Sequence, residues 1–160
     1  MELVFGVVRE PPAPRWGHQA VVTRLVTLLE PYVRAERLGH LCVSPIDVVL
    51  SVEHGLVVQP DLVFVSTDRM AMVRERVYGA PDLTIEVLSF GTAFHDRTVK
   101  LEWYREYGVR ECWLIDPVRC AVEVVNLASG VDHRRGFDGR QLVESSVLPG
   151  LTLEASAVFE

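Results

Sequence analysis

Residues 83 to 88 read LTIEVL, and this short run limits the fold more than any other part of the chain. Leu83, Ile85, Val87 and Leu88 leave no clean alternation of polar and apolar positions. A strand covered on one face alternates; a strand covered on both reads as a nearly continuous apolar run. The segment is therefore expected to be central in a sheet, with a glycine turn and a helical segment after it. Glu86 is the exception within it. Carboxylates are seldom fully buried unless they are paired or bind a metal ion.

The flanking segments supply the rest of an α/β pattern. Residues 9–15, REPPAPR, cannot be helical and read as a connecting loop. From His18 to about Ala35, apolar residues at Val21, Val22, Leu25, Val26, Leu28 and Leu29 have helical spacing. Val43–Val52 and Leu56–Val65 are rich in β-branched residues and read as two strands turning at His54-Gly55. Residues 67–79 are polar, suiting a short helix or a loop. Residues 94–107 form a second helix, with Thr92 as its cap and Gly108 as its stop. Cys112–Ile115 and Ala121–Leu127 pair as a hairpin about Asp116-Pro117, and VLPGLTLEASAVFE closes the chain. This order predicts one domain over 1–160, built as a mixed β-sheet flanked by α-helices.

Composition narrows the setting. No apolar run approaches the roughly 18 residues of a membrane span, and MELVFGVVRE lacks the features of a signal peptide. Cys42, Cys112 and Cys120 form no metal-type CxxC pair, and a sparse odd set suits free thiols in the cytoplasm. The formal net charge of −6 argues against non-specific coating of nucleic acid, which requires lysine and arginine contacts to phosphate.

Asp61 follows Pro60 inside the second strand and, like Glu86, has apolar neighbours. Two carboxylates converging at a sheet edge make an oxygen site for a hard divalent ion such as Mg²⁺. Helical spacing places Asp96, Lys100, Trp103, Tyr104 and Tyr107 on one side, which turns Lys100 toward the protein body. Each residue has a plainer explanation. Asp61 suits a turn after proline, and Glu86 an exposed strand face. Lys100 suits an ion pair with Asp96, worth only about 0.3–0.5 kcal/mol. The three together favour a functional site.

These residues also carry a resemblance. PD at 60–61, PDLTIEVLS at 81–89, D-R-x-x-K at 96–100, Tyr104, GVRECWLIDP and VLPGLTL resemble the PD-(D/E)XK nuclease superfamily, and within it the Uma-type restriction endonuclease branch. The similarity runs from about His18 to Leu153. It implies a restriction-endonuclease-like α/β core and metal-dependent phosphodiester cleavage. Carried over, Asp61 and Glu86 are the ligands of Mg²⁺ or Mn²⁺. The superfamily's usual lysine position holds Leu88 here; the Uma-type branch is similar in drawing its lysine from the following helix, where Lys100 stands. Ser89-Phe90 replaces the branch's usual Ser-Pro, and ECW at 111–113 its usual EYW. The resemblance also brings the first helix to the site, making His18 or Gln19 candidates to contact substrate.

The resulting expectation is a metal-dependent endonuclease acting on DNA. Val87 would offer its carbonyl as a third ligand, Lys100 would assist the attacking water, and Tyr104 would orient Lys100. The alternative is a catalytically silent binding or assembly module on the same fold; a hydrolase of small phosphate esters is a third. Asp82 lies about 13 Å along the strand from Glu86 at about 3.3 Å per residue and reads as a strand-start residue. His95 reads as a cap or surface residue. His133, Arg134, Arg135 and Arg140 form the only dense basic patch, which reads more simply as a solvated hairpin. A homodimer is expected, with segments 121–127 and 147–153 as its apolar interface.

Overall fold

The computed structural model describes residues 1–10, 12–89, 96–128 and 133–160; Thr92, His95 and the side chain of Asp96 lie outside the described part. The two long β-branched runs do form one hairpin, but two prolines divide it between two sheets. Proline has no N–H to give to a ladder. The first run stops as β3 (Gly39–Val43), passes Pro45, and resumes as β4 (Val48–Ser51). The second runs as β5 (Leu56–Val58), breaks at Pro60, and resumes as β6 (Leu62–Ser66). β3 pairs with β6, while β4 pairs with β5 in a different sheet. The expected single strand from Leu56 to Val65 is thus two strands, and Asp61 sits at the crossing between them.

The larger sheet has six strands: β6, β3, β8 (Leu83–Val87), β9 (Glu111–Asp116), β10 (Ala121–Asn126) and β11 (His133–Asp138). Their spatial order is β11-β10-β9-β8-β6-β3. β8 and β9 are parallel, and the other pairs in this sheet are antiparallel. Every residue of β8 is buried, as its apolar run predicts. Parallel neighbours require a crossover, which here includes a π-helical turn (Asp96–Lys100) and α2 (Leu101–Tyr107). Gly108, at φ 94°, ends α2 in the left-handed region that suits glycine.

One face of this sheet is covered by α1 (Trp16–Ala35), whose Val21, Val22, Leu25 and Leu29 pack with Leu62, Phe64, Ile85, Val87 and Trp113. The other face carries a second core made by α2 and the smaller sheet. That sheet holds β1 (Glu2–Val4), β2 (Val7–Arg9), β4, β5 and β7 (Val77–Tyr78) in the order β2-β1-β5-β4-β7. The mixed α/β core follows the expectation, with a second sheet sharing one of the two covering layers. Residues 67–79 supply a 3₁₀ turn (Thr67–Met72) and the short β7. No helix among the described residues is long and apolar enough to cross a membrane.

One expectation fails on burial. Val122, Val124, Val125, Leu127, Val147, Leu148 and Leu153 are all buried within this chain. Segments 121–127 and 147–153 therefore offer no apolar dimer interface, because their side chains already fill the protein's own core.

Asp82, just before β8, is a structural knot well away from Glu86. Its carboxylate accepts the Ser66 N–H at 2.8 Å, Arg69 Nη1 at 2.8 Å and Arg110 Nη1 at 3.1 Å. Burial pushes this carboxyl group up, but the Ser66, Arg69 and Arg110 hydrogen bonds outweigh it and hold Asp82 below its ordinary value. A depressed carboxylate stabilises the fold above its unfolded-state pKa, and that contribution is lost as pH falls through the folded value. Asp82→Asn should cost about 2–3 kcal/mol of unfolding free energy at pH 7. The gap to wild type should narrow as pH falls below about 4, the ordinary carboxyl range in which the unfolded state takes up the proton first. Urea unfolding at pH 7 and pH 3 checks both statements.

Candidate active site

Leu62 pairs with Ile85 across the antiparallel β6–β8 ladder. Asp61 immediately precedes Leu62, so it stands at the end of this ladder beside the Glu86–Val87 end of β8. Next to the Pro60 break, the Asp61 carbonyl still accepts the Ser44 N–H at 2.9 Å on the β3 side, and its side chain completes the ladder's end on the β8 side. Asp61 Oδ2 accepts the Val87 N–H at 2.7 Å. It also lies 3.2 Å from His18 Nε2, which reaches it from the first turn of α1. Since the N–H and C=O of one strand residue project toward the same edge, the Val87 carbonyl lies on the Asp61 side. Gln19, the neighbouring candidate, does not join this group. It is exposed, because one step along a helix turns a side chain by about 100°.

Glu86 is 3 % exposed and lies on the β8 face that carries the second core. Two residues of the crossover meet it. Lys100, 6 % exposed, places Nζ 3.2 Å and 3.3 Å from the two carboxylate oxygens. The Tyr104 hydroxyl donates to Glu86 Oε1 at 2.5 Å. Tyr104 thus holds Glu86, the partner of Lys100, where the sequence suggested contact with Lys100 itself. Burial, and then the Glu86 charge, push the Tyr104 phenol well above its ordinary range, so it stays a neutral donor.

A third carboxylate completes the cluster, and sequence reasoning missed it. Glu2, on β1, is buried and lies 3.1 Å from Lys100 Nζ. Its Oε1 also accepts the backbone N–H of Gln59 at 3.0 Å. Nothing in the short run ELV marks this residue. Its partner is 98 positions away in sequence (100 − 2), and only the packing of the N-terminal hairpin brings them together.

Lys100 thus meets two buried carboxylates, Glu2 and Glu86, while Asp61 pairs with His18 at the neighbouring end of β6. Among the described residues, no group of three or more His, Cys, Asp or Glu side chains converges as a full metal cage. An ion held here would have one or two carboxylates to use and would fill its other positions with water and substrate oxygens, the coordination that Mg²⁺ accepts.

The remaining sequence candidates lie elsewhere. Arg97, one turn before Lys100, donates to Glu123 at 2.8 Å and Asp116 at 3.0 Å, anchoring the crossover to β9 and β10. Arg134 pairs with Glu123 and Arg140 with Glu154, each at 3.6 Å, and Arg135 pairs with Glu144. The basic patch is thus a surface of ion pairs, as the simpler reading held.

Comparison with known proteins bears on the family and the fold. The pattern of the Uma2 family, described as "Putative restriction endonuclease", matches residues 1–156. The chain belongs to the Uma2 family. No curated protein matches it. Among solved structures, a "putative nuclease" from Anabaena variabilis ATCC 29413 superimposes with a TM-score of 0.85 at 22% identity, covering 99% of this chain and 88% of that one. At that identity the likeness is one of fold, and it supports the restriction-endonuclease-like core.

The buried ion pair gives this Uma2 protein a stability signature. Lys100→Met should cost about 3–5 kcal/mol, because it leaves Glu2 and Glu86 buried without their cation. Lys100→Arg keeps the charge but forces a larger planar group into the space of a compact ammonium, at about 1–3 kcal/mol. Urea unfolding of the three proteins at pH 7 should rank them in that order.

Proposed function

We propose that the protein is a divalent-metal-dependent endonuclease that hydrolyses DNA phosphodiester bonds. The observation that carries this reading is the Asp61 carboxylate on the N–H of Val87, the residue after Glu86, with Lys100 bonded to Glu86, in a chain of the Uma2 family. Asp61, Glu86 and the Val87 carbonyl would hold Mg²⁺ or Mn²⁺. Such an ion supplies Lewis acidity toward a phosphoryl oxygen and neutralises negative charge.

The chain's own groups have separate tasks. His18 and the Val87 N–H both fix Asp61 Oδ2, leaving the rest of that carboxylate for binding. Tyr104 fixes Glu86 through Oε1. The Lys100 ammonium offers positive charge where the scissile phosphate gains negative charge, and it can hold the attacking water by a hydrogen bond. A phosphodiester is itself an anion, so the carboxylates repel it unless a cation intervenes. A non-catalytic binding module finds some support in the net charge of −6 and in arginines already paired with acids.

Plasmid nicking with Mn²⁺, together with calorimetry, separates the two readings. Wild type should bind Mn²⁺ and nick DNA, and chelator should abolish nicking. Glu86→Gln should weaken Mn²⁺ binding and stop turnover. Lys100→Ala should spare most Mn²⁺ binding while lowering turnover by about 10²–10³, the usual effect of removing one charge-stabilising donor. Wild-type protein that binds no Mn²⁺ at millimolar concentration and leaves DNA intact would establish the non-catalytic module instead.

A further inference from the structure

Of the 16 lysine and arginine residues, fifteen are arginine; Lys100 is the only lysine in the chain. A compact ammonium on a flexible four-carbon stem fits where a planar guanidinium does not, but it needs partners to stay in one place. Glu86 is one such partner. Glu2 is another, and it reaches Lys100 from a different element.

We propose that Glu2 is a positioning residue of this site: it clamps Lys100 from the side opposite β8 and ties that clamp to the strand segment bearing Asp61. Three observations carry this. Glu2 Oε1 lies 3.1 Å from Lys100 Nζ and also accepts the Gln59 N–H, two residues before Asp61. One carboxylate therefore links the crossover to the Pro60 break. The N-terminal hairpin is held against α2, since Phe5 packs edge-on to Trp103 at 5.8 Å and Val4 is buried in the same core. Gly55 makes room for that hairpin. At φ 59°, Gly55 accepts the Gly6 N–H through its carbonyl at 3.2 Å, and a Cβ there would stand 3.1 Å from the Gly6 nitrogen.

The role follows from how the two carboxylates are used. On the nuclease reading, on which the catalytic meaning of this proposal rests, Glu86 gives oxygen lone pairs to the metal ion. Its hold on Lys100 is then shared. Glu2 is not a ligand in that reading and keeps its hold throughout. It thus fixes the ammonium where the phosphate gains charge.

The single lysine makes the test clean, because Lys100 carries the only ε-amine, and an added lysine peptide serves as the rate reference. Wild type, Glu2→Gln and a surface control, Glu53→Gln, are acetylated with the N-hydroxysuccinimide ester of acetic acid and read by mass spectrometry. Glu2→Gln preserves shape and the Gln59 hydrogen bond but removes the charge, and thermal melts establish that it is folded. Acetylation of Lys100 should speed up about tenfold in Glu2→Gln, the scale of losing one charged hydrogen bond, and stay at the wild-type rate in Glu53→Gln. In nicking assays, Glu2→Gln should lower kcat by about 10²-fold with KM unchanged, as expected for a misplaced transition-state group. An unchanged acetylation rate overturns the clamp. Faster acetylation with wild-type kcat overturns its catalytic meaning. A wild type that cuts no DNA sinks the nuclease reading, and the acetylation rates then decide the clamp alone.

Discussion

A carboxylate in the middle of a strand buried on both faces has to be answered by a cation, and the Glu86–Lys100 pair is that answer. Alone in a low-dielectric interior, either charge would cost several kcal/mol. Together, and with the Tyr104 hydroxyl on Glu86, they are tolerated. The pair requires the crossover to deliver an ammonium inward, so the helix after β8 must turn its aromatic side toward the sheet. Trp103 and Tyr104 are buried for that reason as well as for their apolar area. Arg97 fastens the start of the same crossover to Asp116 and Glu123, which fixes the depth at which Lys100 enters.

The second dependence is on the two prolines. Pro45 and Pro60 interrupt one long hairpin at nearly the same level, sending its near half into the six-stranded sheet and its far half into the smaller one. The smaller sheet then folds over the face on which Glu86 lies and brings β1 with it. Asp61 is exposed to this chemistry because it follows the break. Its carbonyl pairs with the Ser44 N–H toward β3, while toward β8 the side chain takes the hydrogen bond of the Val87 N–H.

Acidic groups elsewhere show how the same fold uses carboxylates for structure. Asp82 receives Ser66, Arg69 and Arg110. Glu111 receives the Trp113 indole N–H together with both hydroxyls of Ser145 and Ser146 and the Ser146 N–H. These two are surrounded by donors. Glu2 and Glu86 instead share the ammonium of Lys100.

By itself, the sequence determined the elements whose signals are local. The apolar run 83–88 required a central strand, helical spacing placed α1 and turned Lys100 inward, and Gly108 stopped α2. The motifs around Asp61, Glu86 and Lys100 were legible because each sits in a periodic context that a charge interrupts. The tertiary structure alone decided the rest. Pro60 could be read as a local irregularity, but a proline does not state which sheet the chain joins after the break. Gln19 and His18 are equally polar, and only the rotation of α1 on the sheet separates them. The segments 121–127 and 147–153 are apolar whether they meet a partner or their own core, and packing assigned them to the core. Glu2 had no local signal. Its role comes from a contact with Lys100 across almost a hundred residues, and contacts at that separation are fixed by how layers stack rather than by neighbouring residues in the chain.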